Sequence, residues 1–212
     1  MSERSERTKE HSSERGERTR EHSSERSEPS GKHSNRLVVF DLDGTLLDSD
    51  EALVAPFVAL GVARDRVTFG HVVAEECTRL GLDIDAYIDR YDPSAAQPFP
   101  GVVELLAGIG RWAVCSNKHP RSGRAELARL GWEPEAALFA DAFDGPKALE
   151  PVLSALAVKP AEVVFVGDTS HDRACAQATG VPFILAGWNP RAAPAPGDLV
   201  AAHPTEVSAF LA

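Results

Sequence analysis

Val38-Val39-Phe40-Asp41-Leu42-Asp43-Gly44-Thr45-Leu46-Leu47 decides how this chain is read. A short apolar run stops at two carboxylates one residue apart. Glycine and a hydroxyl follow. Residues 36–41 (RLVVFD) have the length and composition of a buried strand. A strand that breaks off at Asp-x-Asp-Gly-Thr puts two acids at the C-terminal edge of a sheet. That edge is where open α/β sheets bind ligands.

Outward from this point the chain changes rhythm twice. Residues 49–98 hold helical patterns and no clear strand. Ile84, Tyr87, Ile88 and Tyr91 recur at helical spacing, as do Phe69, Val72, Val73, Glu76 and Leu80 with one polar break. Gly61 and Gly81 end helical segments. This region reads as a small helical insert, closed by Pro93, Pro98, Pro100 and Gly101. From 101 onward strands and helices alternate. Trp112–Cys115 reads as a buried strand ending at Ser116-Asn117-Lys118. Residues 121–130 are predicted helical, and 137–143 a short strand. Leu149, Val152, Leu153 and Leu156 mark another helix. Val163–Val166 is a strand ending at Gly167-Asp168. Residues 173–179 form a helix, Val181–Leu185 a strand, and Thr205 an N-cap for a last helix. Continuous apolar strands between helices predict an α/β fold, a Rossmann-like parallel sheet covered on both faces. The domain reading is a core of 36–48 and 99–212 with a helical cap at 49–98.

Residues 2–34 are three copies of an eleven-residue unit: SERSERTKEHS, SERGERTREHS and SERSEPSGKHS. They contain no aliphatic or aromatic residue to bury, so 1–35 is expected to be a disordered tail. The formal net charge is −10, which argues against nucleic acid as a partner. It also requires that an anionic substrate be met by a metal ion or local cations. No 18-residue apolar run exists and no apolar signal stretch follows Met1, so a cytoplasmic chain with no membrane partner is expected. Cys77, Cys115 and Cys175 have no metal-ligand spacing and read as buried thiols.

Four strand ends now carry polar groups: Asp41/Asp43, Ser116/Asn117, the region of Lys147, and Asp168/Asp172. In a parallel sheet these ends share one edge. Jointly they resemble the haloacid dehalogenase superfamily of aspartate-nucleophile phosphotransferases. FDLDGT matches its first motif, VCSN its second, Lys147 its third and GDTSHD its fourth. The resemblance spans 36–212 and implies the following roles. Asp41 is the nucleophile. Asp43 protonates the leaving oxygen and then deprotonates the attacking water, which requires a proton on Asp43 near neutrality. Mg²⁺ is held by the Asp41 carboxylate, the Asp43 main-chain carbonyl and Asp168. Asp172 holds Lys147 or a metal-bound water. Ser116 and Asn117 meet the phosphoryl group, with Thr45 and Lys118 as further substrate contacts. Lys147 neutralises charge at Asp41.

Only three lysines lie beyond the tail: 118, 147 and 159. Lys159 precedes the strand at 163, at its far end. Lys118 is read as pointing into the loop after its strand. Lys147 lies at the start of a helix on the correct edge. The chemistry asks for such a set: phosphate-ester hydrolysis needs up to roughly 10²¹-fold acceleration, and an aspartyl-phosphate divides it into two steps.

Within the family, the dehalogenases lack a carboxylate at the position of Asp43, because a halide leaves without a proton. Ser-Asn-Lys is similar to the Thr-Asn-Lys of phosphoglycolate phosphatases, although Ala148 follows Lys147 where those relatives usually have proline. The expectation is a Mg²⁺-dependent phosphatase acting on a small phosphorylated metabolite, as a monomer or homodimer. His71, Arg79 and Lys118 are candidates to meet a second anion on the substrate. The alternatives are a sugar-phosphate mutase of the same fold and a non-catalytic phosphate-binding regulatory module.

Overall fold

The computed structural model describes residues 36–68 and 72–211. The expected tail at 1–35 and the candidate His71 lie outside the described residues. Strand β1 (Leu37–Phe40) is buried along its whole length. Its side chains alternate between two cores. Val38 and Phe40 enter one buried cluster, and Leu37 and Val39 the other. A strand with apolar residues facing both ways has to lie inside a sheet covered on both faces.

The chain then makes β2 (Leu47–Asp48), α1 (Asp50–Ala59), a 3₁₀ turn at Arg64–Arg66, α2 (Val73–Leu80), α3 (Ile84–Ile88) and β3 (Gln97–Pro98). The strands β2 and β3 pair antiparallel, Leu47 with Pro98 and Asp48 with Gln97. The sequence reading of 49–98 contained no strand. This two-residue ribbon joins the ends of the helical insert, and its pairing comes from that closure rather than from any local pattern. Val54, Phe57, Tyr87 and Ile88 of the insert belong to the same buried cluster as Phe40, Val114 and Val166 of the sheet. Gly81 caps α2 in the left-handed conformation at φ 72°.

The second half contributes α4 (Val102–Gly108), β4 (Trp112–Cys115), α5 (Pro120–Leu130), β5 (Ala137–Leu138), α6 (Glu150–Ala155), β6 (Val163–Gly167), α7 (Ser170–Thr179), β7 (Phe183–Ala186) and β8 (Leu199–Ala201). A 3₁₀ helix at Pro204–Phe210 follows. Six strands form one parallel sheet in the order β5-β4-β1-β6-β7-β8. Phe40 aligns with Val114 on one side and Val166 on the other, so β1, β4 and β6 end level. The strand order reverses around β1, which makes its C-terminal end a switch point of the kind that binds ligands.

Several boundaries differ from the sequence reading. The strand expected over 137–143 is β5 followed by a 3₁₀ turn at Ala140–Ala142. Helix α7 starts at Ser170, because Thr169 is its N-cap and Asp172 closes a capping box with it. The final helix is capped at His203, not Thr205: Pro204 takes its first position, and the Glu206 carboxylate accepts from the Ala202 and His203 amides. Lys147 lies in the loop before α6, outside the helix itself. Among the described residues no helix is long and apolar enough to cross a membrane.

Candidate active site

Asp41 is the first residue past β1, and its amide donates to Val166 O at 2.9 Å, extending the β1–β6 ladder by one step. Its side chain is buried. Oδ1 accepts from the Leu42 amide at 2.7 Å, and Oδ2 lies 2.7 Å from Lys147 Nζ. Lys147 Nζ also lies 2.5 Å from Asp172 Oδ1. The other oxygen of Asp172 is taken by helix capping: the Thr169 amide donates at 2.9 Å and the Thr169 hydroxyl at 2.6 Å. Asp172 therefore uses one oxygen to start α7 and the other to hold Lys147. Of the two partners considered for it, Lys147 and a metal-bound water, this arrangement favours Lys147. The Lys147 loop is fixed at its backbone, where the Lys147 amide donates to Asn117 Oδ1 at 2.7 Å.

Asp168 leaves the end of β6 beside β1. Thr45 Oγ1 donates to its Oδ1 at 3.1 Å, and Asn189 Nδ2 donates to its Oδ2 at 2.7 Å and to Gly44 O at 2.9 Å. Thr45, expected as a substrate contact, is fully buried and spends its hydroxyl orienting Asp168. Gly44 has φ +77°, and a Cβ there would sit 2.4 Å from Asp168 Oδ2 and 2.8 Å from Asn189 Nδ2. Only glycine lets the Asp-x-Asp-Gly turn pass this close to Asp168.

Oxygens of Asp41, Asp168 and Asp172 all lie within 4.8 Å of one another. Burial, above all, raises the Asp41 carboxyl to about 6 in spite of Lys147 beside it, and Asp172 adds to the rise. Burial and the charges of Asp41 and Asp172 raise Asp168 to about 7. For Lys147, burial works against the charged form, but Asp172 and Asp41 outweigh it and the net shift is upward. One lysine thus faces three crowded carboxylates. An all-oxygen donor set with excess negative charge fits a hard divalent cation such as Mg²⁺. Asp41 and Asp168 are the side chains that the resemblance assigns to it, with Asp172 the third acid within reach.

The second acid, Asp43, is tied elsewhere. Lys118 Nζ lies 2.6 Å from Asp43 Oδ1, 2.8 Å from Tyr91 OH and 3.0 Å from Glu126 Oε1. Lys118 does not point out into its loop, as the sequence reading had it; its ammonium is folded back and buried. Tyr91 OH also donates to Glu126 Oε1. Glu126 is fully buried on α5, and its Oε2 has no hydrogen-bond partner among the described residues. Burial raises Glu126 to about 7, against the pull of Lys118. Burial opposes the charge on Lys118, but Asp43 and Glu126 shift it upward overall. The acid role needs a proton on Asp43, whereas here its carboxylate receives an ammonium, so that pair has to open for acid catalysis.

These groups line one cavity of about 360 Å³ between the sheet edge and the helical insert. Asp41, Asp43, Ser116, Asn117, Lys118, Lys147 and Asp168 all reach it. Arg79 is not among the residues that line it; it is bound to Glu76 and to Arg66 O. Asn189, Glu126, Tyr91 and Thr169 are the residues that sequence reasoning passed over. Glu126 shares one buried face of α5 with Ser122, Gly123 and Leu127, a face with a single large apolar residue to announce it.

The family model for haloacid dehalogenase-like hydrolases matches residues 38–186, and the chain belongs to that family. A phosphoglycolate phosphatase of Xylella fastidiosa is 29% identical over 187 residues, covering 74% of this chain and 82% of that protein. An N-acetylmuramic acid 6-phosphate phosphatase of Pseudomonas aeruginosa is 29% identical over 170 residues, covering 65% and 75%. In fold, the chain is similar to a haloacid dehalogenase-like hydrolase from Bacteroides fragilis, with a TM-score of 0.69 at 20% identity over 81% of this chain and 99% of that one.

Proposed function

We propose that the protein is a Mg²⁺-dependent phosphatase that hydrolyses a small-molecule phosphate monoester through a phosphorylated Asp41. The observation that carries this reading is the convergence on one cavity of a buried carboxylate at a strand end, a lysine 2.7 Å from it and a second carboxylate two residues on. Asp41 Oδ2 attacks phosphorus as the leaving oxygen departs, and Asp43, released from Lys118, gives that oxygen its proton. Asp43 then accepts a proton from the water that attacks the phosphorylated Asp41. Ser116 and the Lys147 ammonium offer donors to the phosphoryl oxygens. Asp172 and Thr45 do not touch substrate; they fix Lys147 and Asp168, while Asn117 fixes the Lys147 loop through Oδ1 and reaches the cavity beside Ser116. Mg²⁺ held by Asp41 and Asp168 would supply the charge that keeps both ionised and offsets repulsion between nucleophile and phosphate. The insert at 49–98 acts as a roof that limits water in the cavity.

Phosphate release from 4-nitrophenyl phosphate tests this reading. Wild type hydrolyses it with Mg²⁺ and stops with EDTA, and Asp41→Asn abolishes turnover. Full activity in that variant would rule Asp41 out as nucleophile. Phosphate release to water, in place of transfer to a second hydroxyl, separates a phosphatase from a mutase.

A further inference from the structure

The cavity above Asp43 is where the leaving group has to lie, because Asp43 is the group that protonates it. The insert's share of that wall is mostly apolar: Leu53, Phe57, Val67, Val73, Tyr87 and Tyr91, with Thr68 and Glu76 bonded to each other as its polar members. Phe57 and Tyr87 pack with ring centroids 4.5 Å apart. The two tyrosine hydroxyls are already used, that of Tyr87 on Leu53 O at 3.0 Å and that of Tyr91 on Glu126. The wall therefore offers ring faces and alkyl groups.

The cation closest to the leaving group is also committed. An ammonium has three N–H donors. Lys118 Nζ has three acceptors within 3.0 Å, namely Asp43, Tyr91 and Glu126, and when Asp43 is released for catalysis the buried Tyr91 and Glu126 still hold it away from the leaving group. Its charge is met by one carboxylate and shared with another that is wholly buried. The single charged side chain on the insert's face of the cavity, among the described residues, is an acid, Glu76. Its oxygens are held by Arg79 and by the Thr68 amide and hydroxyl. A carboxylate lying against the insert's side of this space would be stripped of water beside apolar groups and Glu76; the cavity's other donors, among them Ser122, Ser170, His171 and Arg191, come from the core side, and Arg191 is paired with Asp50.

We infer that the site selects a phosphate monoester whose leaving group is uncharged and apolar, an aryl or arylalkyl alcohol, over one that carries a carboxylate. This rests on the phosphatase reading and goes against the expectation of a phosphorylated acid raised by Ser-Asn-Lys. Lys118, the candidate for a second anion, serves the protein's own carboxylates instead. A cavity of about 360 Å³ has room for a single ring system.

The test compares benzyl phosphate with phosphoglycolate, two primary alkyl esters, on the full-length protein with Mg²⁺. The expected kcat/KM ratio favours benzyl phosphate by about tenfold or more, the cost of an unpaired buried polar group. A smaller ratio, or one favouring phosphoglycolate, overturns the inference. Val73→Arg adds a cation to the wall at a half-buried helix start and is expected to move the ratio toward phosphoglycolate by about fivefold. An unchanged ratio would show that the leaving group does not lie against this wall, and the inference falls. 4-Nitrophenyl phosphate serves as control: if it is hydrolysed while the ratio fails, only the specificity inference is lost. If it is not hydrolysed, the phosphatase reading fails and takes the inference with it.

Discussion

Replacing Asp172 by asparagine separates two roles that the sequence alone left open, holder of Lys147 and holder of a metal-bound water. The side chain is fully buried, 2.5 Å from Lys147 Nζ through Oδ1, and bonded to the Thr169 amide and hydroxyl through Oδ2. Removing one partner of a buried ion pair costs about 3–5 kcal/mol. Lys147 keeps Asp41 at 2.7 Å, which puts the loss at the lower end. An amide in the capping box keeps one acceptor for Thr169 but turns its other end, now a donor, toward Lys147. The expected destabilisation is about 3 kcal/mol, equivalent to a fall in Tm of roughly 6–12 °C for a domain of this size. Thermal unfolding by circular dichroism, in EDTA and in Mg²⁺, measures it. Turnover falls because Lys147 is no longer aimed, while the Mg²⁺ concentration for half-maximal activity stays within about twofold of wild type. Asp168→Asn is expected to do the reverse and raise that concentration more than tenfold. If Asp172→Asn raises the Mg²⁺ requirement as much as Asp168→Asn does and leaves Tm within about 2 °C, the assignment of Asp172 to Lys147 is wrong.

Three further outcomes follow from the geometry. Gly44→Ala places a methyl 2.4 Å from Asp168 Oδ2 at φ +77°, so it should cost about 1–3 kcal/mol in denaturant unfolding and weaken Mg²⁺ activation; a variant with wild-type values for both contradicts the tight turn. Glu126 is held near 7 when folded against 4.5 as an isolated side chain, so the folded state binds the extra proton. Wild-type stability relative to Glu126→Gln should therefore be highest below about pH 4.5 and fall by up to about 3 kcal/mol as pH rises to 7, and parallel pH profiles would refute the buried-acid reading. Asp43→Asn should lower kcat on an alkyl phosphate by about 10²–10⁴-fold and much less on 4-nitrophenyl phosphate, whose leaving group needs little protonation; equal losses on both count against the acid role.

The central strands were legible because burial on both sheet faces leaves an unbroken apolar run, as in Leu37–Phe40 and Val163–Gly167. Their C-terminal acids then mark the site edge. What stayed hidden depends on partners distant in sequence. Strand β8 is three residues long, with Leu199 and Val200 exposed at the sheet edge, and follows a Pro/Gly-rich stretch that reads as loop. The β2–β3 ribbon exists because the two ends of the insert meet.

The same division holds within the site. Asp41, Ser116, Lys147 and Asp168 could be placed by the strands that end beside them. The direction of Lys118 could not. Its backbone lies in the loop after β4, but its four-carbon stem follows Glu126 on α5 and Tyr91 in the insert. A glutamate on the inner face of a helix reads as a break in an apolar stripe until the buried ammonium it serves is seen. Thr45 likewise carries a hydroxyl suited to either substrate or protein, and only the approach of Asp168 decides between them.

The central claim is that Asp41 is phosphorylated during turnover. It is tested most directly by acid-quenching the protein while it turns over substrate with Mg²⁺, digesting it and weighing the peptide that carries Asp41. A fraction of that peptide heavier by one phosphoryl group, lost on treatment with hydroxylamine and absent in Asp41→Asn, is the expected result. Steady phosphate release with the label absent from that peptide, or carried on a different side chain, would contradict it.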